Sequence, residues 1–80
     1  MITKSDLKNL VLSALRKLGG KGRVVEVAKQ IWDDHENDLR RAGDLFYTWQ
    51  YDIRWAAQTL RDSGKLKSME GKKGGAWELA

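Results

Sequence analysis

Apolar residues recur at a helical spacing in three stretches of this sequence, and the C-terminal tail then changes to an alternating pattern. The first stretch places leucine, valine and alanine on one face from Leu7 to Leu18, which is typical of an amphipathic helix. Thr3 or Ser5 is the expected N-cap of this helix. Gly19 is its expected stop, because glycine readily adopts the left-handed backbone that ends helices. The chain must therefore bury three helical stripes against one another.

The second stripe runs from Val24 to Ile31 and follows a short extended segment at residues 22–24. We expect its helix to end around residues 34–36, where the apolar spacing stops. The next segment, residues 36–47, has no clear period. A structureless loop of that length is unusual in a compact domain, so we expect it to contain a turn or two of helix.

The third helix is predicted to begin near Thr48, a residue type that caps helices, and to end at Gly64. Its buried stripe consists of Trp49, Ile53, Ala56, Ala57 and Leu60. Buried aromatic rings contribute large apolar areas to a small core, so we interpret Trp32, Trp49 and Trp77 as core residues. Trp55 lies off this stripe. We expect it to pack under the C-terminal tail or against residues 36–47, with stacking on a ligand as the alternative.

The tail after Gly64 alternates with the period of a strand. Leu66 and Ser68 share one face of a first strand, and Trp77 and Leu79 share one face of a second, with a glycine-rich turn at residues 70–75 between them. The predicted order is helix, short strand, helix, helix, strand, strand. This order predicts an α+β winged helix-turn-helix fold with three main helices and a small C-terminal β-hairpin wing, in a single domain over residues 1–80.

Composition limits the classes of function. The chain has 80 residues, no cysteine and one histidine, so a disulfide or a thiolate metal site is excluded and no cofactor is expected. No apolar run reaches the ~18 residues of a membrane span, which predicts a cytoplasmic protein without membrane contact. No nucleophile–base pair or nucleotide-binding loop is visible either. We therefore do not expect an enzyme.

Charge is distributed unevenly, although the net charge is only +4. Residues 16–29 carry five basic side chains and one acidic side chain, whereas residues 33–38 carry four acidic ones. A polyanion is attracted to the first region and repelled by the second. The acidic segment itself is interpreted as a solvated surface, because it lacks the spacing of a calcium loop.

A more specific pattern runs through the third helix and the tail. It consists of Trp49, Ile53, Trp55, Ala56, Leu60, Gly64, Leu66, Lys72, Lys73, Gly75 and Trp77. This pattern resembles the N-terminal winged-helix domain of Mrr-type restriction endonucleases, closely over residues 49–79 and loosely over residues 7–79. The resemblance implies a module of a restriction-modification system that binds double-stranded DNA, commonly beside a tethered nuclease domain. Asp52 departs from it, because that position is frequently basic in the family, and so no phosphate contact is carried over there.

Candidate DNA-contacting residues follow from the winged-helix arrangement, in which the third helix enters the major groove. Glutamine and arginine side chains can pair with adenine and guanine edges, and lysines bind phosphates. The candidates are Thr48, Gln50, Tyr51, Arg54, Gln58 and Arg61 on the third helix, Lys72 and Lys73 at the wing tip, and Lys21 and Arg23 before the second helix. An ordinary solvated surface is the alternative interpretation for each of these side chains.

Two other classes of function are compatible with this sequence. A winged helix can serve as a protein-interaction or homodimerisation module, in which case Tyr51 and Trp55 would be interface anchors. A nuclease is the weaker alternative. Glu70-Gly71-Lys72 and Asp62 match the residue types of a nuclease metal site, but such carboxylates must be held together on a rigid sheet, and Glu70 falls in a predicted turn.

Overall fold

The computed structural model describes residues 2–67 and 76–80. In these residues the chain is a small α+β domain with three α-helices and a two-stranded antiparallel sheet, compatible with a winged-helix layout. A short 3-10 turn leads into the first helix. The elements are the 3-10 turn Lys4–Asp6, α1 Leu7–Lys17, β1 Lys21–Arg23, α2 Val24–Arg40, α3 Leu45–Asp62 and β2 Ala76–Glu78.

The start of the first helical segment is held by a capping interaction between Thr3 and Asp6. The backbone N–H of Thr3 donates to Asp6 Oδ2 at 2.9 Å, and the Thr3 hydroxyl donates to the same oxygen at 3.1 Å. These hydrogen bonds, the backbone one first, lower the pKa of Asp6. Thr3 and Ser5 were the two predicted N-caps, and the structure has Thr3 at this position. The predicted stop after Leu18 is confirmed, and Gly19 has a φ of 86°.

The predicted end of the second helix around residues 34–36 coincides with a kink in the helical backbone. α2 runs from Val24 to Arg40, but His35 within it is non-helical, with φ −133° and ψ 22°. The helical turns beyond the kink carry Leu39, which is fully buried in the core. The local helix expected within residues 36–47 is present, but it is joined to α2.

The third helix begins at Leu45, one turn before the predicted Thr48. Leu45 packs against the core, and the ring of Phe46 lies 6.3 Å from that of Trp32, so apolar contacts stabilise this extra turn. Thr48 therefore lies inside α3 and is not its cap. The predicted end is confirmed, since α3 stops at Asp62 and Gly64 has a φ of 81°.

The strand near the C-terminus pairs mainly with the strand that precedes α2. In the antiparallel register of β1 and β2, Gly22 lies opposite Trp77. The segment predicted as the first hairpin strand contributes one isolated bridge, from Leu66 to Leu79, and the Lys67 N–H donates to the carbonyl of Glu78 at 2.9 Å. Within residues 2–67 and 76–80, the hairpin partner is therefore seen as a single bridge at Leu66. Ser68 and the turn at residues 70–75 lie outside the described residues.

The core lies between the three helices and is closed at one end by the sheet. Its residues are Leu7, Val11, Leu12, Ala14 and Leu15 of α1, Val27, Ile31 and Leu39 of α2, Trp49, Ile53, Ala56, Ala57 and Leu60 of α3, and Leu66 and Trp77. The core assignment of Trp49 and Trp77 is confirmed, whereas Trp32 is only half-buried. No helix among the described residues has the length and apolar character needed to cross a membrane.

Candidate nucleic-acid interface

One face of α3 is left open to solvent along almost its full length. Because the apolar stripe of the helix faces the core, residues spaced by three and four on the other side are exposed. Five of the six candidates on this helix, Thr48, Gln50, Tyr51, Arg54 and Gln58, are exposed, and Arg61 is half-buried. The helix thus brings these polar candidates together on one surface.

Three side chains on this face keep their hydrogen-bonding groups available. Within the described part of the chain, the side chains of Gln50, Tyr51 and Arg54 make no hydrogen bond or ion pair with another residue. The Gln50 amide offers a donor and an acceptor, and the Arg54 guanidinium offers a planar set of donors. The central part of α3 can therefore bind a polar or anionic ligand without first breaking contacts within the protein.

The remaining candidates on α3 are engaged with neighbours on the same helix. The Thr48 hydroxyl donates to Asp52 Oδ2 at 2.8 Å. The Gln58 amide donates to Asp62 Oδ1 at 3.0 Å and accepts from Arg61 Nη1 at 2.9 Å. Arg61 Nε is buried and has no partner among the described residues. A ligand that reached this end of α3 would have to compete with these local hydrogen bonds.

The first turns of α2 extend this surface on one side of α3. Val24, Val25 and Ala28 line a shallow groove together with Gln50, Tyr51 and Arg54 of α3. Val25 is 62% exposed, which is unusual for a valine in a small domain. The groove therefore has apolar side chains from α2 and polar side chains from α3. It joins the exposed faces of the two helices into one continuous surface.

The basic candidates before α2 are exposed, but they differ in their contacts. Arg23 lies beside Glu26, with Nε 3.4 Å from Glu26 Oε1, and its backbone N–H donates to the same oxygen at 2.8 Å. These contacts, the backbone hydrogen bond foremost, lower the pKa of Glu26. Lys21 has no ion-pair partner among the described residues. Lys72 and Lys73 lie outside the described residues.

Two features of the surface were not anticipated. Tyr47 is 83% exposed and lies on the same face of α3 as Tyr51 and Arg54, one and two turns away. The spacing of four residues from Tyr47 to Tyr51 was the available signal, but it was missed because the helix was predicted to start at Thr48. Trp55 is 40% exposed, and the ammonium groups of Lys4 and Lys8 lie near its ring.

The acidic segment is tied to its surroundings by ion pairs. Lys17 Nζ lies 2.8 Å from Asp34 Oδ2, and Gln30 donates to the same oxygen at 3.1 Å. These hydrogen bonds, that of Lys17 first, lower the pKa of Asp34. Over residues 2–67 and 76–80, no group of three or more histidine, cysteine or acidic side chains could hold a metal ion.

Comparison with models of protein families, with curated proteins and with solved structures found no match for this chain.

Proposed function

We propose that this chain is a winged helix-turn-helix module that binds double-stranded DNA, with α3 in the major groove. The observation that carries the proposal is the open face of α3, on which Gln50, Tyr51 and Arg54 are exposed and have no side-chain partner among the described residues. A helix that enters the major groove must present such a face, because base edges are read by direct hydrogen bonds.

The residue types on this face fit that ligand. Arginine can donate two hydrogen bonds to the O6 and N7 atoms of guanine, and glutamine can pair in the same way with adenine. Tyrosine can donate to a phosphate oxygen. We assign Gln50 and Arg54 to base edges and Tyr51 to the backbone at the groove edge.

Phosphate contacts outside the groove complete the proposed interface. Lys21 and Arg23 are exposed ahead of α2, and Lys72 and Lys73 are assigned to the wing, against the backbone or the adjacent minor groove. The acidic side chains of residues 33–38 belong to the C-terminal half of α2, whereas the groove beside α3 is formed by its N-terminal turns. This separation allows DNA to approach α3 without meeting the acidic segment.

The broader context follows from the resemblance to the Mrr-type N-terminal domain. We assign the chain to DNA targeting in a restriction-modification system in the cytoplasm, where a tethered nuclease or another effector domain supplies any chemistry. Incubation with supercoiled plasmid and Mg²⁺ tests this part. We expect the chain to bind the plasmid and to leave it supercoiled. Nicking of the plasmid by the chain alone would contradict this assignment.

Fluorescence anisotropy with a labelled random duplex tests DNA binding directly. We expect wild-type affinity to fall steeply with salt, and we expect Arg54→Ala to weaken binding and reduce the log–log salt slope by about one. Arg41→Ala is the matched control, because Arg41 is exposed at the end of α2 beside the acidic segment and its loss changes the net charge equally. Equal effects of the two substitutions, or no binding at low salt, would overturn the proposal.

One observation favours a second function, a protein-interaction module. Tyr47, Tyr51 and Trp55 are all exposed on α3, and aromatic residues are enriched where proteins bind one another. In that case α3 would be buried in a homodimer or against another protein. Sedimentation without DNA separates the two functions: a concentration-dependent dimer that Tyr47→Ala dissociates supports the second, and a monomer supports DNA binding.

A further inference from the structure

Two lysines from the N-terminal segment converge on the exposed indole of α3. Lys4 Nζ lies 4.7 Å from the centroid of the Trp55 ring, and Lys8 Nζ lies 6.0 Å from it. One ammonium group above an indole is favourable, because the ring face is electron-rich. Here both ammonium groups lie near the same ring, so two positive charges are concentrated at one place on the surface.

This pair of charges is not neutralised by neighbouring side chains. Neither lysine has an ion-pair partner within the described part of the chain. Asp6 is the acidic residue between them in the sequence, and its carboxylate accepts hydrogen bonds from Thr3. Two unpaired positive charges near one ring raise the local positive potential, which attracts an anion. An anion bound there would be stabilised by both ammonium groups.

The two lysines lie at one border of the open face of α3. Gln50, which lines the groove against α2, precedes Trp55 by five residues, so the two side chains are about 140° apart around the helix axis. Trp55 therefore borders the open face on the side away from that groove. Lys4 and Lys8 are brought to this border by the packing of the N-terminal 3-10 turn and α1 against α3.

A helix in the major groove has a DNA backbone on each side. The groove is about 12 Å wide, and a helix with its side chains is about 10–12 Å across. Cations on both flanks of the helix then lie near phosphates of opposite strands. Lys21 and Arg23 occur on the segment that leads into α2, whereas Lys4 and Lys8 lie on the other flank, beside Trp55.

We propose that Lys4, Lys8 and Trp55 form a phosphate-binding site for the DNA backbone on the α1 side of α3. This inference rests on the proposed DNA binding and extends it to a second element of the protein. The two ammonium groups contact phosphodiester oxygens directly. Trp55 is a positioning residue, because its ring holds both lysine side chains at the edge of α3.

The double variant Lys4→Ala/Lys8→Ala tests the site in the same duplex titration. Two lost phosphate contacts should reduce the magnitude of the log–log salt slope by about two, and affinity at about 0.1 M salt should fall by at least tenfold. The matched control is Arg41→Ala/Lys65→Ala, which removes two exposed positive charges that lie outside the proposed interface and have no ion-pair partner among the described residues. Circular dichroism of both variants verifies that α1 is retained.

The outcomes separate this site from the proposed function as a whole. If both double variants reduce the slope equally, the effect is one of net charge and the Lys4–Lys8 site is wrong. If Arg54→Ala weakens binding while Lys4→Ala/Lys8→Ala does not, DNA binding by α3 stands and only this inference fails. If Lys4, Lys8 and Trp55 form this site, adding duplex should change the chemical shift of the Trp55 indole N–H. Its absence at saturating duplex would contradict the site.

Discussion

The indole rings of Trp32 and Trp49 stack with their centroids 6.1 Å apart and their planes 7° from parallel. Trp49 belongs to α3 and is buried in the core, whereas Trp32 belongs to α2 and covers Trp49 from the solvent side. Arg40 lies above Trp32, with its guanidinium carbon 5.1 Å from the ring centroid. The stack therefore joins the two helices that line the proposed DNA-binding groove.

The two tryptophans should contribute unequally to stability. Trp49→Ala removes a buried aromatic ring, which costs about 3–5 kcal/mol and is enough to unfold much of a small domain. Trp32→Ala should cost less, because part of that ring is already exposed. Urea unfolding of both variants measures the difference, with the exposed Tyr47→Ala expected within about 0.5 kcal/mol of wild type. Equal losses for the two tryptophans would contradict the burial described for them.

Leu39 is predicted to hold the last turn of α2 in place. Its side chain is fully buried beyond the non-helical residue His35, so Leu39→Ala should reduce the free energy of unfolding by about 2–5 kcal/mol. The exposed neighbour Asp38→Ala is the control, since it leaves the core intact. If both variants unfold at the same urea concentration, Leu39 does not hold this turn against the core.

Gly43 provides a test of backbone strain in the connection between α2 and α3. Its φ is 65°, and a Cβ added there would meet no atom within 4 Å, so only the backbone opposes a side chain. Gly43→Ala should cost about 1–2 kcal/mol. Gly43→Asn should cost less, because asparagine tolerates the left-handed region. Thermal unfolding of Gly43→Ala and Gly43→Asn measures this difference. A Gly43→Ala variant as stable as wild type would contradict the left-handed backbone at this position.

The ion pair between Lys17 and Asp34 predicts a specific pH dependence. Asp34 has a lowered pKa in the folded chain, so its contribution to stability is present above the unfolded value of about 3.9 and is lost as the pH falls through the folded value. Lys17→Ala should raise the pKa of Asp34 toward its ordinary value, and the stability difference from wild type should vanish in acid. Carboxylate carbon shifts measured by NMR report the pKa. Asp6, held by Thr3, is the internal control and should titrate unchanged.

Gln58→Glu places a negative charge on the proposed DNA-binding face with almost no change in shape. The new carboxylate can still accept from Arg61. It loses the hydrogen bond to Asp62 and repels that carboxylate, but an i,i+4 pair of like charges on an exposed helix face costs only about 0.2–0.5 kcal/mol, so folding should be retained. Repulsion of phosphates should weaken duplex binding severalfold at low salt and less at high salt. Asn37→Asp adds the same charge on an exposed site of the acidic segment and should have little effect. If Asn37→Asp weakens duplex binding more than Gln58→Glu does, DNA does not bind at the open face of α3.

Helical periodicity and glycine position were sufficient to predict much of this structure. The three helices, the stops at Gly19 and Gly64, and the exposure of Gln50, Tyr51 and Arg54 all follow from local patterns. They are predictable because side-chain direction in a helix repeats every 3.6 residues, whatever surrounds the helix. A local pattern is thus enough to say which side of α3 is left open.

Contacts between distant parts of the chain decided the rest. The turns beyond the kink at His35 pack Leu39 into the core, and in the described part of the chain β2 pairs with β1, the strand ahead of α2. The placement of Lys4 above Trp55 joins residues about fifty positions apart and leaves no periodic trace in the sequence. Sequence alone therefore determined the helices and the open face of α3. Tertiary packing decided which charges border that face, because those charges come from elements that meet only after the core has formed.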